Sequence, residues 1–517
     1  MKKCLFVFLF FPLFIYAQFQ DSLFYPNKLN YIKYLNAVEK KIILDTNNLG
    51  FSFLEYHSFS TNGQFIKAKH YQSVNKYLDI GVDISKFSQD GVFKREGLSL
   101  HDVNTLFSFT NKNKTYSMHS IFSYQKIRMD ENGGVIDYSF NKFDDALLFD
   151  VSLLTAENRL KNRFHNINHC FMFSDNISLV NNLSLLKKSK NYNDDKPTSG
   201  FYQSIYSDST ITRDSLSNIN IDNTIGLKIK NLQFNHEFKR RQYFSNEFDS
   251  TDYDNGLSIN FNNSTHNLKS ELKYFISNQY YFSLSKEFDK KSWHKLEFVH
   301  QRNRLPIFYN TLISNNYIFK NNFDDIISSY LRYNYKSRNF YFESILNRYS
   351  NHIFLNEIIE FEQLKTPVLY LKSTLNHNWS IKNLGGNNWV NYHYTTNDVV
   401  RFPTLNASSS IWYGKEVNDK NLCFKIGAKI NYYTSYFANV YNPALAHFQL
   451  QNQTEIGGLP YIISFLDIQI SNMNLKLEYK NLNHFFSIPH HFYMPNYPSL
   501  PTTIHLSLNW KLNNRNH

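Results

Sequence analysis

Three cysteines in 517 residues are too few for a disulfide framework. Cys4 lies at the start of an N-terminal apolar stretch, which leaves Cys170 and Cys423, and their separation along the chain does not tell whether they pair. Glycine is scarce, 16 in all, so asparagine, which tolerates left-handed backbone, is expected to make many of the turns. Past the N-terminal stretch no apolar run approaches the length of about 18 residues that a membrane-crossing helix needs. The longest are short, such as Ala146-Leu147-Leu148-Phe149 and Tyr461-Ile462-Ile463. There is no Gly-x-Ser-x-Gly elbow, no His-Glu-x-x-His helix and no fixed-period repeat. These absences leave no basis for an enzyme, a cofactor or a solenoid.

Aromatic residues, by contrast, are abundant. Phe (47) and Tyr (37) bring the aromatic content to 17% in a chain that is hydrophilic on average. Many rings without long apolar runs suit a β-barrel in lipid, where only a thin outer band is apolar and aromatic girdles flank it. Lys2 and Lys3 followed by the apolar Leu5 to Tyr16, with a cut after Ala17, read as a cleaved secretory signal over residues 1–17. Residues 18–49 form a periplasmic or lead-in segment, too short for the large N-terminal plug of a TonB-dependent transporter. The formal net charge of +12 could suit nucleic acid, but an exported barrel argues against that partner. Lumen charge or contact with lipopolysaccharide phosphates fits better.

From about residue 50 onward, segments alternate apolar and polar with period 2, the mark of a strand with one oily face and one wet face. Examples are Leu78 to Ser85, Ile225/Leu227/Ile229, Leu257/Ile259/Phe261, Leu331/Tyr333/Tyr335 and Met473/Leu475/Leu477/Tyr479. Between these lie long polar side chains such as Arg332, Asn334, Lys476 and Glu478, which a buried sandwich strand would rarely carry. Short connections (111–114, 262–265, 336–339) contrast with long ones rich in Asn, Asp, Ser and Tyr (130–160, 188–199, 207–222, 243–256, 305–323, 433–445, 483–500). The expected fold is all-β: a transmembrane antiparallel β-barrel over 50–513. It has an even strand number between about 16 and 24, short periplasmic turns, long extracellular loops and a polar tail at 514–517. A barrel of that size has a lumen.

The last strand-like run, Ile504 to Leu512, alternates without a fault. It is expected to pair with both its predecessor and the first strand and so to close the barrel. Ile504, Leu506, Leu508, Trp510 and Leu512 would face lipid, and His505, Asn509 and Lys511 the lumen. Further lumen-facing candidates are Asp79, Asp83, Arg332, Asn334, Lys336, Lys476, Glu478 and Lys480. Lys239-Arg240-Arg241 together with Arg332, Lys336, Lys476 and Lys480 could make a positive lumen that favours anions. The alternative is that Asp79, Asp83 and Glu478 balance them. His484, His490 and His491 lie among aromatic residues and read as part of an interfacial loop rather than as metal ligands. His169 and Cys170 are neighbours in a strand and point to opposite faces, so they do not form a pair. The proline-rich segment Pro489, Pro495, Pro498 and Pro501 cannot be a central strand. It reads as an ordered loop over or in the barrel mouth.

Three groups of motifs resemble one family. The first is Glu131-Asn132-Gly133-Gly134 followed by Val151 to Leu160. The second is Leu305-Pro306-Ile307-Phe308-Tyr309-Asn310, then Ser314 to Tyr317 and Asn321-Asn322-Phe323. The third is Leu459-Pro460-Tyr461 with Phe465-Leu466, then Tyr493-Met494-Pro495-Asn496-Tyr497-Pro498. In this order they are similar to segments of the putative porin family of Bacteroidota. Two departures are Leu512, where the family usually ends on phenylalanine, and the shorter chain. The resemblance implies an outer-membrane barrel of a Gram-negative bacterium. The expected function is a porin-like channel for passive diffusion of small hydrophilic solutes. The alternatives are a scaffold, adhesion or ligand-binding barrel and a channel for hydrophobic molecules. Expected partners are outer-membrane lipid and lipopolysaccharide, the barrel-assembly machinery and the solutes themselves, with a homo-oligomer left open.

Overall fold

The computed structural model describes residues 50–59, 62–136, 149–289, 292–417, 422–482, 492–499 and 502–513. The signal segment, residues 18–49, His484, His490, His491, Pro489, Pro501 and the 514–517 tail lie outside them. Twenty-two strands form one closed antiparallel sheet. In chain order the barrel strands begin with β1 Phe51–Phe59, β2 Gly63–Asn75, β3 Leu78–Gln89, β4 Leu98–Thr110, β5 Tyr116–Asp130 and β6 Glu157–Ser174. Next come β7 Ile177–Asp194, β8 Thr212–Ile229, β9 Leu232–Phe244, β10 Asp249–Asn263, β11 Leu268–Phe275 and β12 Tyr280–Asp289. Then follow β13 Trp293–Asn303, β14 Ile326–Lys336, β15 Phe340–Ser350, β16 Val368–Ile381 and β17 Leu384–Thr395. The last are β18 Leu405–Val417, β19 Leu422–Tyr433, β20 Tyr461–Ile470, β21 Met473–Lys480 and β22 Thr503–Asn513.

Closure comes from β22, which pairs with β21 through Leu508↔Leu475 and with β1 through Leu508↔Tyr56. No edge is left unpaired, and that is what lets a sheet survive in lipid. One end of the barrel has tight turns such as 175–176, 230–231, 382–383 and 471–472. Several are made at positive φ by Lys114, Lys230, Asn267, Lys382 and Ser471. Lysine and serine therefore share with asparagine the turn work that glycine leaves open. The other end carries the long connections 131–156, 304–325, 351–367 and 434–460.

Three stretches expected to be long loops are largely strand. Residues 188–194 continue β7, 212–222 begin β8, and 249–256 begin β10, which leaves only 245–248 as the β9–β10 turn. These extensions rise past the apolar band, so both faces are polar and the period-2 signal fades.

Alternation sets the two faces of the wall. Outward residues such as Ile80, Val82 and Ile84 on β3 and Leu257 and Ile259 on β10 are exposed and make the apolar band. Near the short-turn end an outward aromatic girdle includes Phe340 stacked on His377 at 4.3 Å, and His294 against Tyr335 at 5.1 Å. Inward residues are polar through much of the wall and become apolar near the long-loop end, where Phe87, Leu100, Ile127 and Met129 are buried. What buries them is described next.

Candidate functional site

The long connections fold into the barrel mouth and cap it. Segments from two of them build a four-stranded sheet, in the order Phe361–Gln363, Ile353–Leu355, His447–Gln449, Val440–Asn442. The central pair is parallel, with Leu355 opposite Gln449. Beside it a short helical turn, α1 (Ile307–Asn310), leads into a hairpin of Thr311–Ile313 with Ile318–Lys320. Leu305, Tyr309, Leu312, Phe319, Phe361 and Leu445 pack into an apolar core with Leu153, Tyr192 and Tyr202. A second core joins Tyr441, Met494 and Tyr497 of the cap to Phe87, Leu100, Ile127 and Met129 of the wall. A water-filled strand wall would not keep these apolar side chains inward, and the cap explains why they are there.

The motif residues noted in the sequence converge on this cap. Gly133 and Gly134 both have positive φ, at 66° and 97°. A side chain at Gly134 would collide with Asn496, whose carbonyl accepts the Val135 N–H at 2.9 Å. The Glu-Asn-Gly-Gly turn thus clasps the Met-Pro-Asn-Tyr-Pro loop, and a Cβ would prevent it. Asn315 donates its backbone N–H to Asp214 at 3.0 Å and accepts the hydroxyl of Ser207 at 2.6 Å and the N–H of Asp208 at 2.8 Å. It therefore ties three segments together while almost wholly buried. The wall holds the cap directly too. Asn158 donates to the Pro443 carbonyl and to Glu131, both at 2.8 Å, and Lys190 donates to the Ala444 carbonyl. Asn442 reaches the Tyr317 hydroxyl at 3.0 Å.

Between the cap and the wall of β6–β13 lies a cavity of about 460 Å³. Its lining carries seven basic side chains (Lys188, Lys190, Lys239, Arg241, Lys273, Arg302, Arg304) and two acidic ones, Asp252 and Glu271. Some of this charge is matched. Lys273 lies 3.0 Å from Glu237 and 3.1 Å from Glu271, Arg304 is 2.5 Å from Asp252, and Arg302 is 3.1 Å from Asp325. Asp222 stands opposite Lys239 in the β8–β9 ladder, so the excess is one of count in the lining itself, seven basic side chains against two acidic ones. Lys239 sits over the Phe275 ring at 3.6 Å, and that ring occupies the space beside Gly256 where any Cβ would clash with it.

The sequence-derived lumen candidates all fall on the inward face. The register puts Asp79, Asp83, Arg332, Asn334 and Lys336 there, and likewise Lys476, Glu478, Lys480, His505, Asn509 and Lys511. They do not gather into one site. Lys476 and Lys480 hold Glu478 at 2.5 and 3.4 Å, with His505 2.8 Å from Lys480. Arg332 lies 3.7 Å from Glu297 and 3.8 Å from Glu343. Asp83 lies 3.4 Å from Lys69. Arg332, Lys476 and Lys480 each thus have a carboxylate beside them, although Glu478 serves both lysines and Glu297 also serves Lys295. Lys239-Arg240-Arg241 also splits, because Lys239 and Arg241 point inward and Arg240 points outward over Tyr253. On β22, Ile504, Leu506, Trp510 and Leu512 are exposed, Leu508 is half-buried and His505 is buried. Cys170 and Cys423 are not joined by a disulfide. His169 bonds Tyr116 on the face opposite Cys170. Among the described residues no group of His, Cys, Asp or Glu could hold a metal ion.

Two cap histidines give the site a pH dependence. Burial holds His352 and His447 down to about 4, and His447 is stacked on Phe308 at 4.9 Å. When the cap opens each returns towards 6.5, so between pH 6.5 and 4 the open state binds more protons and the cap loses stability as pH falls. The loss is complete near pH 4 and amounts to at most about 3 kcal/mol for each histidine. Protection factors of the 440–449 amides, which correct for the intrinsic slowing of exchange in acid, should therefore fall between pH 7 and pH 4.5, and less so in His447→Phe. A flat profile in the intact protein would refute this.

A family model described as "Putative porin" matches residues 45–514. Solved structures with the same fold include the FrpB iron transporter of Neisseria meningitidis, at 10% identity and a TM-score of 0.61, covering 90% of this chain and 82% of that one. The ferric-catecholate import receptor Fiu of E. coli K12 is similar over 90% of this chain and 82% of its own, at 10% identity and a TM-score of 0.60. The siderophore receptor PiuA of Acinetobacter baumannii gives the same coverages at 10% identity and a TM-score of 0.59. Identities this low establish the fold alone. No curated protein matches the sequence.

Proposed function

This chain belongs to the family described as "Putative porin", and from that premise we propose that it is a selective outer-membrane channel for small hydrophilic solutes, anions above all. The observation that carries the proposal is the basic cavity between the loop cap and the β6–β13 wall. A wide diffusion pore needs an open mouth, and here apolar cores fill the mouth. A solute must pass through a space of small-molecule size lined by cations, so charge and width both select. No reaction is part of the proposal. Export by a cleaved signal and a Gram-negative host of the Bacteroidota belong to it.

A second reading has an observation of its own. Barrels similar to this one include proteins described as an iron transporter and a siderophore receptor. Barrels of 22 strands in outer-membrane transporters have a plugged lumen. On that reading the capped cavity, edged by Phe275, Tyr281 and Phe308, holds a ligand and the barrel conducts little by itself.

Reversal potentials in a salt gradient across planar bilayers test the first reading. The intact protein should show small, anion-selective events. The double variant Lys239→Gln/Arg241→Gln should lower the anion-to-cation permeability ratio several-fold. Cation selectivity of the intact protein would sink the proposal, and a barrel that never conducts would favour the receptor.

A further inference from the structure

We propose that the outer face of β3–β7, just below the long loops, is a docking site for the phosphate-bearing head group of a glycolipid in the surrounding leaflet. Alternation and register put eight basic side chains on this face. Lys86 lies opposite His101, His101 opposite Lys126, and Lys126 opposite Lys161. The next row towards the loops places Arg128 opposite Arg159, and the next row below places Arg163 opposite Lys187. All eight are exposed. The five strands make the patch roughly 20 Å wide, and its rows are about 7 Å apart.

Three like-charge pairs directly across the ladder, Lys126–Lys161, Arg128–Arg159 and Arg163–Lys187, oppose folding of the sheet unless an anion lies between them. Protein supplies little of that anion. Glu157 reaches Arg128 at 3.0 Å and Arg159 at 2.5 Å, and Arg163 lies over the Tyr124 ring at 5.8 Å. Among the described residues no carboxylate pairs with Lys86, Lys126, Lys161 or Lys187.

Two further observations point to lipid rather than to a dissolved partner. On the same face the row below Arg163–Lys187 runs Val82, Thr105, Phe122, His165 and Leu185, with Val82, Phe122 and Leu185 exposed, so the cations sit where acyl chains give way to head groups. The eight cations are also clustered. Elsewhere towards the long-loop end outward cations stand singly, as Arg240 does on β9 and Arg348 on β15, and on β16–β21 the outward side chains include Leu371, Tyr392, Ile430, Ile462 and Tyr479. A general need for solubility would have spread the charge more evenly around the rim. Arginine and lysine in rows suit phosphate oxygens, arginine by two parallel bonds and lysine as a point charge.

The test uses the folded, detergent-solubilised protein and fluorescent lipopolysaccharide, intact or enzymatically dephosphorylated. Intact lipopolysaccharide should bind at least tenfold more tightly than the dephosphorylated form, and inorganic phosphate at millimolar level should not displace it. The variant Lys126→Gln/Lys161→Gln/Arg163→Gln should weaken binding at least tenfold and still run as a folded, heat-modifiable barrel. Lys112→Gln/Lys114→Gln, at the opposite end, should change nothing. Equal affinity for both lipids, an unaffected triple variant, or full displacement by inorganic phosphate would each overturn the site. Should the triple variant not fold, a salt titration of the intact protein decides. Binding must weaken steeply with salt, and salt-independent binding overturns the proposal.

Discussion

Leu508→Lys should leave most of the protein unassembled, while Ser507→Lys should still yield barrels. The two positions are adjacent in β22 and face opposite ways. Leu508 lies opposite Leu475 on one side and Tyr56 on the other, in the middle of the strand and on the lipid face. A lysine near the bilayer midplane costs about 2–4 kcal/mol, and the cost falls towards the interfaces. Ser507 faces inward between Lys476 and His57, where an added ammonium meets water and like charge but no hydrocarbon. Since β22 joins β1 to β21, its failure opens the whole ring. The share of protein that shows heat-modifiable migration after refolding into lipid measures the difference. Equal shares for the two variants would refute the facing of this strand.

Replacing residues 439–450 by a short Gly-Ser linker should raise single-channel conductance several-fold and leave the barrel intact. This segment provides two of the four strands of the cap sheet and places Leu445 in the apolar core. It also carries the carbonyls that Asn158 and Lys190 hold. Truncating Leu445 alone to alanine should loosen the cap by about 2–5 kcal/mol. None of the barrel ladders pairs with 439–450, so the 22 strands lose no hydrogen bond between them. Conductance that does not change on deletion would mean that another element closes the mouth. It would remove the observation on which the selective-channel reading stands.

The barrel's alternating segments were legible because side-chain direction in a strand depends only on local geometry. Leu78 to Ser85, Leu331 to Tyr335 and Met473 to Tyr479 all became strands with the expected faces. The signal failed where both faces are wet. Lys188-Ser189-Lys190-Asn191 reads as part of a loop, yet it is strand, with Ser189 facing outward and Lys190 held under the cap. The inward apolar set Leu98, Leu100, Ile127 and Met129 breaks the polar-inward rule for a reason that lies hundreds of residues away, in Tyr441, Met494 and Tyr497. The charge pairing was hidden in the same way, since Arg332 finds Glu297 and Glu343 only across strand neighbours.

The sequence by itself determined the class of this protein and the strand that closes it. Each of these follows from period-2 patterning, which needs no partner to be read. The tertiary structure decided the count of 22, the pairing of the lumen charges and the cap. Strand pairing, ion pairing across strands and the meeting of Leu355 with Gln449 are contacts between distant parts of the chain. The motifs that carry the family likeness are visible in the sequence, but only folding shows that Gly134 and Asn496, or Asn315 and Ser207, meet in the barrel mouth.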